Sequence, residues 1–184
     1  MTTGSSARLI VITGSPGSGK TTLSATLQRE LGYPLLRRDA LKEILMDRLG
    51  VTNRAESRRL GTAAWSLMYA MLDQFAGRAP VIVESNFSMD RDETNLAPIV
   101  ALSSSVALHC ETDLATIQRR IAARKGSTDR HPGHFDDIAW LELERRLWDG
   151  QYEPLDLPCP TLRIDTTDGL NPDLAAILSF IRTA

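Results

Sequence analysis

The sequence predicts an α/β fold, a three-layer α/β/α sandwich on a five-stranded parallel sheet. Three observations predict it. Short apolar, β-branched segments alternate with longer segments of helical periodicity through the 184 residues, and such alternation builds a parallel sheet covered by helices on both faces. The run Pro80-Val81-Ile82-Val83-Glu84 is apolar without interruption until its last residue, as a strand buried on both faces requires. Between the first strand and the first helix stands Gly14-Ser15-Pro16-Gly17-Ser18-Gly19-Lys20-Thr21, which fits G-x-x-x-x-G-K-[ST] at every fixed position.

Each element can be justified in turn. Arg8 to Thr13 is a short strand, and Thr22 to Leu31 a helix with Leu at 23, 27 and 31. Gly32 closes that helix as a C-terminal glycine should. Tyr33 to Leu36 reads as the second strand, ending at Arg37-Arg38-Asp39. Asp39 opens a helix with Leu41, Ile44, Leu45 and Leu49 at helical spacing, stopped by Gly50. Asn53 caps a long helix to about Ala76, with Leu60, Ala64, Leu67, Met68, Met71 and Phe75 as its expected buried stripe. The third strand runs from Pro80 to Glu84 and a weaker helix from Asp90. Ser105 to Cys110 is the fourth strand. Thr112 or Asp113 caps a helix with Leu114, Ile117 and Ile121 inward. A loop follows at 126–134, then a helix from Asp136 to Trp148. A fifth strand spans Pro160 to Ile164 and a closing helix Asn171 to Ile181. One domain is expected over 8–184, behind a disordered lead-in at 1–7.

The glycine loop carries the clearest chemistry. Gly14, Gly17 and Gly19 let the backbone approach a ligand closely. Successive N–H groups along Ser15 to Thr22, Pro16 having none to offer, then face one concavity over the positive end of the helix dipole, which suits phosphate. Lys20 can reach the β- and γ-phosphates, and the Thr21 hydroxyl can ligate Mg²⁺. At average residue frequencies such a match arises at about 4 in 100,000 positions, so chance is a poor account of it. The expected fold is therefore that of a P-loop NTPase, with ATP and Mg²⁺ as cofactors.

Composition narrows the classes. Apolar residues make up 42% and charged residues 24%, with a net charge of −2, so the chain is no general polyanion binder. Nucleic-acid contact would need a local patch and is not favoured. The two cysteines, Cys110 and Cys159, lack metal-ligand spacing and are expected as free thiols in a reducing cytoplasm. No apolar run approaches membrane-spanning length. The oligomeric state is left open.

Ligands of parallel sheets bind beyond the carboxyl ends of the strands, which singles out four places: the glycine loop, Arg38-Asp39, Glu84-Ser85-Asn86 and Asp165-Thr166-Thr167. Asp39 can cap its helix and can also take the proton of a substrate hydroxyl; phosphoryl transfer needs only positioning and modest base help. Glu84 stands where an acidic residue near Mg²⁺ is expected, or it contacts the substrate. Residues 119–135 form an Arg-rich lid. Arg119, Arg120, Arg124, Lys125 and Arg130 stand there against Asp129, and Arg120 and Arg124 share one helix face. Planar guanidinium groups suit a transferring phosphoryl group. His131-x-x-His134 lacks carboxylate or Cys companions and sits in a Pro-Gly turn, so metal binding is not favoured. His109 is expected as a satisfied structural histidine. Trp65 and Tyr69 either line the acceptor pocket or belong to the core, and Arg145, Arg146 and Tyr152 are similarly placed.

The order GSPGSGKTT, a strand ending in Arg-Asp, VIVESNF and then an Arg-rich stretch resembles the P-loop kinase group of AAA_33 type that contains the phage polynucleotide 5′-kinase domain. The resemblance covers roughly residues 8–135. It implies Lys20 and Thr21 as phosphate and Mg²⁺ residues, Asp39 as catalytic base, and Arg120 and Arg124 as lid arginines. On the substrate side it implies Arg38, Lys42, Glu84 and Asn86, with Lys42 and Glu84 departing from the phage residues. The Arg130–His134 stretch looks like a lid signature of small kinases in this group. The implied activity is ATP-dependent transfer of the γ-phosphate to a hydroxyl of a small-molecule acceptor such as a nucleoside, sugar or antibiotic. The alternatives are a polynucleotide 5′-end kinase and a regulatory ATPase without an acceptor.

Overall fold

Alternating apolar strands and amphipathic helices assemble as the pattern requires. A computed structural model describes residues 8–124, 131–135 and 140–184. The expected lead-in at 1–7, lid residues 125–130 and the first residues of the helix expected from Asp136 lie outside them. The strands β1 (Arg8–Gly14), β2 (Leu35–Arg37), β3 (Val81–Glu84), β4 (Ser104–Glu111) and β5 (Thr161–Asp165) form one parallel sheet in the order β2-β3-β1-β4-β5. The helices are α1 (Lys20–Leu31), α2 (Arg38–Leu49), α3 (Arg54–Phe75), α4 (Met89–Ala101), α5 (Leu114–Arg124), α6 (Trp140–Trp148) and α7 (Leu174–Thr183).

Strand periodicity places the core. Leu9 and Val11 of β1 face Met68 and Leu72 of α3, Leu96 of α4 and Phe87. Ile10 and Ile12 face Leu23 and Leu27 of α1 and Ile177 and Ile181 of α7. Both faces are apolar, as a sheet between two helix layers must be. Chain order reverses beside β1, which pairs with β3 on one side and β4 on the other. That reversal opens a crevice at its carboxyl end.

Several helix details differ from expectation. On α3 the buried residues are Ser57, Leu60, Gly61, Ala64, Met68 and Leu72, while Leu67 and Met71 are exposed. Small residues select that face because α2 packs there: a Cβ on Gly61 would lie 3.6 Å from Lys42 Cε. On α2, Ile44 and Leu49 are exposed, and Lys42 and Met46 are the buried residues, because the helix lies on α3 rather than on the sheet. α1 begins at Lys20 rather than Thr22, since Gly19 at φ 83° takes the N-cap position. α4 begins at Met89. Asp113, not Thr112, caps α5, its Oδ1 accepting from Thr116 N at 2.7 Å. α7 starts at Leu174, because Asn171 instead exchanges backbone hydrogen bonds of 2.8 and 2.9 Å with Asp165. No helix among the described residues is long and apolar enough to cross a membrane.

Candidate active site

The loop after β1 is shaped by what surrounds it. Gly14 holds φ 137° with its α-carbon pressed against the Cys110 carbonyl of β4, a position no side chain could share. Gly19 holds φ 83° where a Cβ would meet Thr166 Oγ1 at 3.1 Å. Backbone that needs glycine at a close approach is the form a phosphate cradle takes. Ser18 Oγ is buried without a hydrogen-bond partner among the described residues, an orphaned donor inside that cradle. Lys20 Nζ, buried at the start of α1, donates to the Ser15 carbonyl at 2.6 Å. Burial holds the Lys20 ammonium below its ordinary pKa, and Arg124 pushes the same way, while Glu84, Cys110 and Asp39 oppose them.

Those opposing groups come from other elements. Glu84 ends β3 and accepts a hydrogen bond from Thr21 Oγ1 at 3.4 Å. Burial raises its carboxyl pKa and Asp39 adds to that rise, while Lys20, Arg37 and the Thr21 hydroxyl lower it. Asp39, in the first turn of α2, is paired with Arg38. One neighbourhood thus holds Lys20, Thr21, Glu84 and Asp39, with the charge of Arg124 acting on it from the last turn of α5. A hydroxyl and a carboxylate side by side are the hard oxygen donors Mg²⁺ takes, its remaining positions being filled by water and phosphate oxygens. The described residues contain no cluster of three or more His, Cys, Asp or Glu that could hold a metal by themselves.

Arg120 bonds to the glycine loop and to the residue after β5. It donates to the Gly17 carbonyl at 3.1 Å, to Thr166 Oγ1 at 3.0 Å and to the Thr166 carbonyl at 2.5 Å. Thr166 Oγ1 donates in turn to the Ser18 carbonyl at 3.0 Å. Arg120 and Thr166 therefore brace the back of the glycine loop. Thr166 follows β5 directly, and its strand-end position was the available signal.

Of the residues expected on the substrate side, Arg38 and Lys42 stand on α2 against α3, while Glu84 and Asn86 lie at and after the end of β3. The Arg38 guanidinium lies 5.3 Å from the Trp65 ring centroid, and that of Arg91 lies 4.1 Å from it. Trp65 and Tyr69 stack with centroids 5.8 Å apart and pack against the core. Asp92, fully buried, accepts from Tyr69 Oη at 2.6 Å, from Ser88 N at 2.6 Å and from Nε and Nη2 of Arg91. Burial and this bond raise the Tyr69 hydroxyl pKa. Sequence reasoning missed Arg91 and Asp92, which sit inside an otherwise weak helical pattern. Lys42 is buried beside Gly61, and Asn86 accepts from Ser85 Oγ at 3.4 Å.

His109 is a correction. It is buried, as expected of a structural histidine, but its Nδ1 finds no partner among the described residues. It lines a cavity of about 130 Å³ with Ser15, Tyr152 and Arg163, whose lining includes neither Asp39 nor Glu84. Burial, then the charges of Arg163 and Lys20, push its pKa down to about 4. Burial likewise pushes the Cys110 thiol up to about 12.

The family model for AAA_33, described as an AAA domain, matches residues 9–148. The chain belongs to that family. This AAA_33 chain is similar to a protein from Chloroflexus aurantiacus j-10-fl provisionally named a kinase, at 35% identity over 96% of this chain and 97% of that chain, with a TM-score of 0.84. It shares its fold with a gluconokinase from Sinorhizobium meliloti 1021, at 19% identity over 97% and 93% of the two chains and a TM-score of 0.57. It also shares its fold with the shikimate kinase of Acinetobacter baumannii, at 18% identity over 97% and 95% and a TM-score of 0.55. A comparison with curated proteins finds no match. The fold is thus a kinase-like P-loop fold.

Proposed function

We propose that this protein is an ATP-dependent, Mg²⁺-requiring phosphotransferase that moves the γ-phosphoryl group of ATP to a hydroxyl of a small-molecule acceptor in the cytoplasm. The observation that carries the reading is placement: Arg37, two residues before Asp39, pairs in register with Glu84 at the ends of β2 and β3. Asp39, from α2, acts on both Lys20 and Glu84, so a carboxylate on a separate element shares the neighbourhood of the phosphate loop. Nucleotide retention alone has no use for a half-exposed carboxylate there; acceptance of a hydroxyl proton does. The gluconokinase and shikimate kinase that share the fold act, by their names, on small molecules, which supports that acceptor class.

In this reading Gly14 to Thr22 and Lys20 hold the donor's β- and γ-phosphates. Asp39 orients the acceptor hydroxyl and takes its proton as the new O–P bond forms. The bond from the γ-phosphorus to the β–γ bridging oxygen breaks, and ADP leaves. Arg124 offsets charge on the transferring group, while Arg120 keeps the loop in shape. Thr21 and Glu84 would hold Mg²⁺, which supplies charge neutralisation at the phosphate oxygens. Arg38, Lys42 and Asn86 flank the acceptor.

The test is a panel of hydroxyl acceptors (nucleosides, sugars, aminoglycosides, oligonucleotide ends) with labelled ATP. The expected result is label transfer to one small-molecule class. Lys20→Ala should lose nucleotide binding or turnover, and Asp39→Ala should keep ATP binding and lose transfer. Transfer to oligonucleotide ends, with affinity falling steeply in salt, would replace this reading with an end kinase. ATP consumption indifferent to every acceptor would replace it with a regulatory ATPase.

A further inference from the structure

The stretch His131-Pro132-Gly133-His134 plays no part in the transfer just described, yet it is tightly engaged. Pro132–His134 forms a 3₁₀ turn set against α2 and the start of α3. His134 Nε2 lies 2.7 Å from Glu43 Oε1, with only 4% of its side chain exposed. His131 Nε2 lies 3.1 Å from Asp47 Oδ1. Ser57 Oγ of α3 donates to the Gly133 carbonyl at 2.6 Å in a buried bond. A Cβ on Gly133 would lie 2.5 Å from Val51 Cγ1, so only glycine fits the contact. The turn also orders itself: Gly133 N donates to His131 Nδ1 at 3.0 Å. That bond makes Nδ1 an acceptor and leaves Nε2–H to donate to Asp47.

The partners of the two histidines share a pattern with the candidate base. Asp39, Glu43 and Asp47 follow one another at intervals of four on α2, so they form one acidic stripe. Like charges at that spacing weaken a helix. Apart from this turn, α2 is held mainly by lying on α3, with Lys42 against Gly61 and Leu41 against the core. It has 12 residues, no side-chain N-cap bond, and only Lys42 and Met46 buried. A helix that short is marginal unless tertiary contacts fix it.

We propose that the His131–His134 turn is a clasp that positions α2 and, through it, Asp39, with His134 and His131 as positioning residues on the second and third rungs of the acidic stripe. The proposal rests on Asp39 being the base of the phosphotransferase, and its structural half is testable without that assumption.

The experiment is amide hydrogen exchange of the full-length chain, followed by mass spectrometry, for wild type, His134→Ala, His134→Gln and Glu43→Gln. Exchange in α2 should rise about tenfold in His134→Ala and Glu43→Gln, a loss of about 1.4 kcal/mol, while α1 is unchanged. His134→Gln keeps a side-chain donor and should stay nearer to wild type. Equal exchange of α2 in all four proteins, or a matching rise in α1, would overturn the clasp. The functional half is read from MgATP turnover with water as acceptor. His134→Ala should lower kcat at least about tenfold, since a misplacement of about 1 Å can cost about 100-fold. The Kd for a non-hydrolysable ATP analogue should stay within about twofold. The swapped pair Glu43→His with His134→Glu should recover kcat. A lowered melting temperature with unchanged kcat would make the turn structural only. A rise in α2 exchange together with full activity of Asp39→Ala would keep the clasp and remove the base.

Discussion

Acidification should expose His109 as a buried load on stability. The perturbation is a fall from pH 7 to pH 4, applied to wild type and to His109→Leu. The ring sits on β4 at 4% exposure with Nδ1 unpartnered. Burial, aided by Arg163 and Lys20, takes its pKa from the ordinary 6.5 to about 4. Between those values the unfolded chain binds the proton and the folded chain does not. The stability tied to the neutral ring is therefore complete above about pH 6.5 and drains away as pH falls toward 4. At about 1.4 kcal/mol per pH unit the loss is roughly 3 kcal/mol, a large share of the 5–15 kcal/mol that holds a typical domain. Urea unfolding at a series of pH values measures it. The carboxylates with lowered pKa, such as Asp113 and Asp165, are common to both proteins and cancel in the difference. Wild type should lose roughly 3 kcal/mol more than His109→Leu over the window. A difference below about 1 kcal/mol, or an imidazole resonance titrating near 6.5, would refute the reasoning.

Other substitutions separate the roles of neighbouring groups. Arg124→Ala should lower kcat about 100-fold, at the low end of what charge-stabilising groups supply, with little change in nucleotide Kd. Arg120→Ala removes bonds to Gly17 and Thr166 and should weaken nucleotide binding roughly tenfold; isothermal titration and steady-state kinetics read both. Thr166→Val removes the donor to the Ser18 carbonyl and the acceptor for Arg120. It should cost about 1–3 kcal/mol in urea unfolding, together with nucleotide affinity. Gly14→Ala presses a methyl group onto the Cys110 carbonyl at φ 137° and should destabilise by more than about 2 kcal/mol, visible as a lowered melting temperature.

Much of this was legible in the sequence, and the unread parts share a cause. Strand positions and sheet direction follow from short apolar runs such as Val81 to Val83, because burial on both faces leaves no room for another pattern. The glycine loop was legible because phosphate binding needs Gly14, Gly19 and Lys20 at fixed spacing. Asp39 and Glu84 were singled out by position at strand ends. The faces of α2 and α3 were misread because apolar periodicity says which side of a helix could be buried, not which neighbour covers it. Gly61 and Ser57 invite α2 and the 131–134 turn, and so Leu67 and Met71 end up outside. Arg120 was read as the equal of Arg124 because spacing places both on one helix face. Nothing in the spacing says that Thr166 and Gly17 carbonyls wait for one of them. Asp92 was missed because a buried carboxylate is recognisable only through its partners, Tyr69, Arg91 and Ser88 N, which are scattered in sequence.

The two halves of the site differ in what holds them, and that difference has consequences. The nucleotide half is part of the core: Gly14 lies against β4, Lys20 and Glu84 are buried, and Arg120 with Thr166 ties the loop to β5. A change there cannot alter phosphate binding without altering packing, so stability and nucleotide affinity should fall together. The proposed acceptor half stands on α2, which buries two residues and leaves Ile44 and Leu49 in solvent. A change on that helix can alter transfer while the domain stays folded. The 131–134 turn should therefore be the place where the halves communicate, since it follows the arginine-bearing α5 in sequence and contacts α2, the helix of Asp39, in space. In a set of variants, the Gly14, Lys20 and Thr166 group should show melting temperature and nucleotide Kd moving as one. The Glu43, Asp47 and His134 group should show turnover moving against a nearly constant Kd. A single shared trend across both groups would mean that the site is one mechanical unit and that the clasp does not set the place of α2 separately from the nucleotide half.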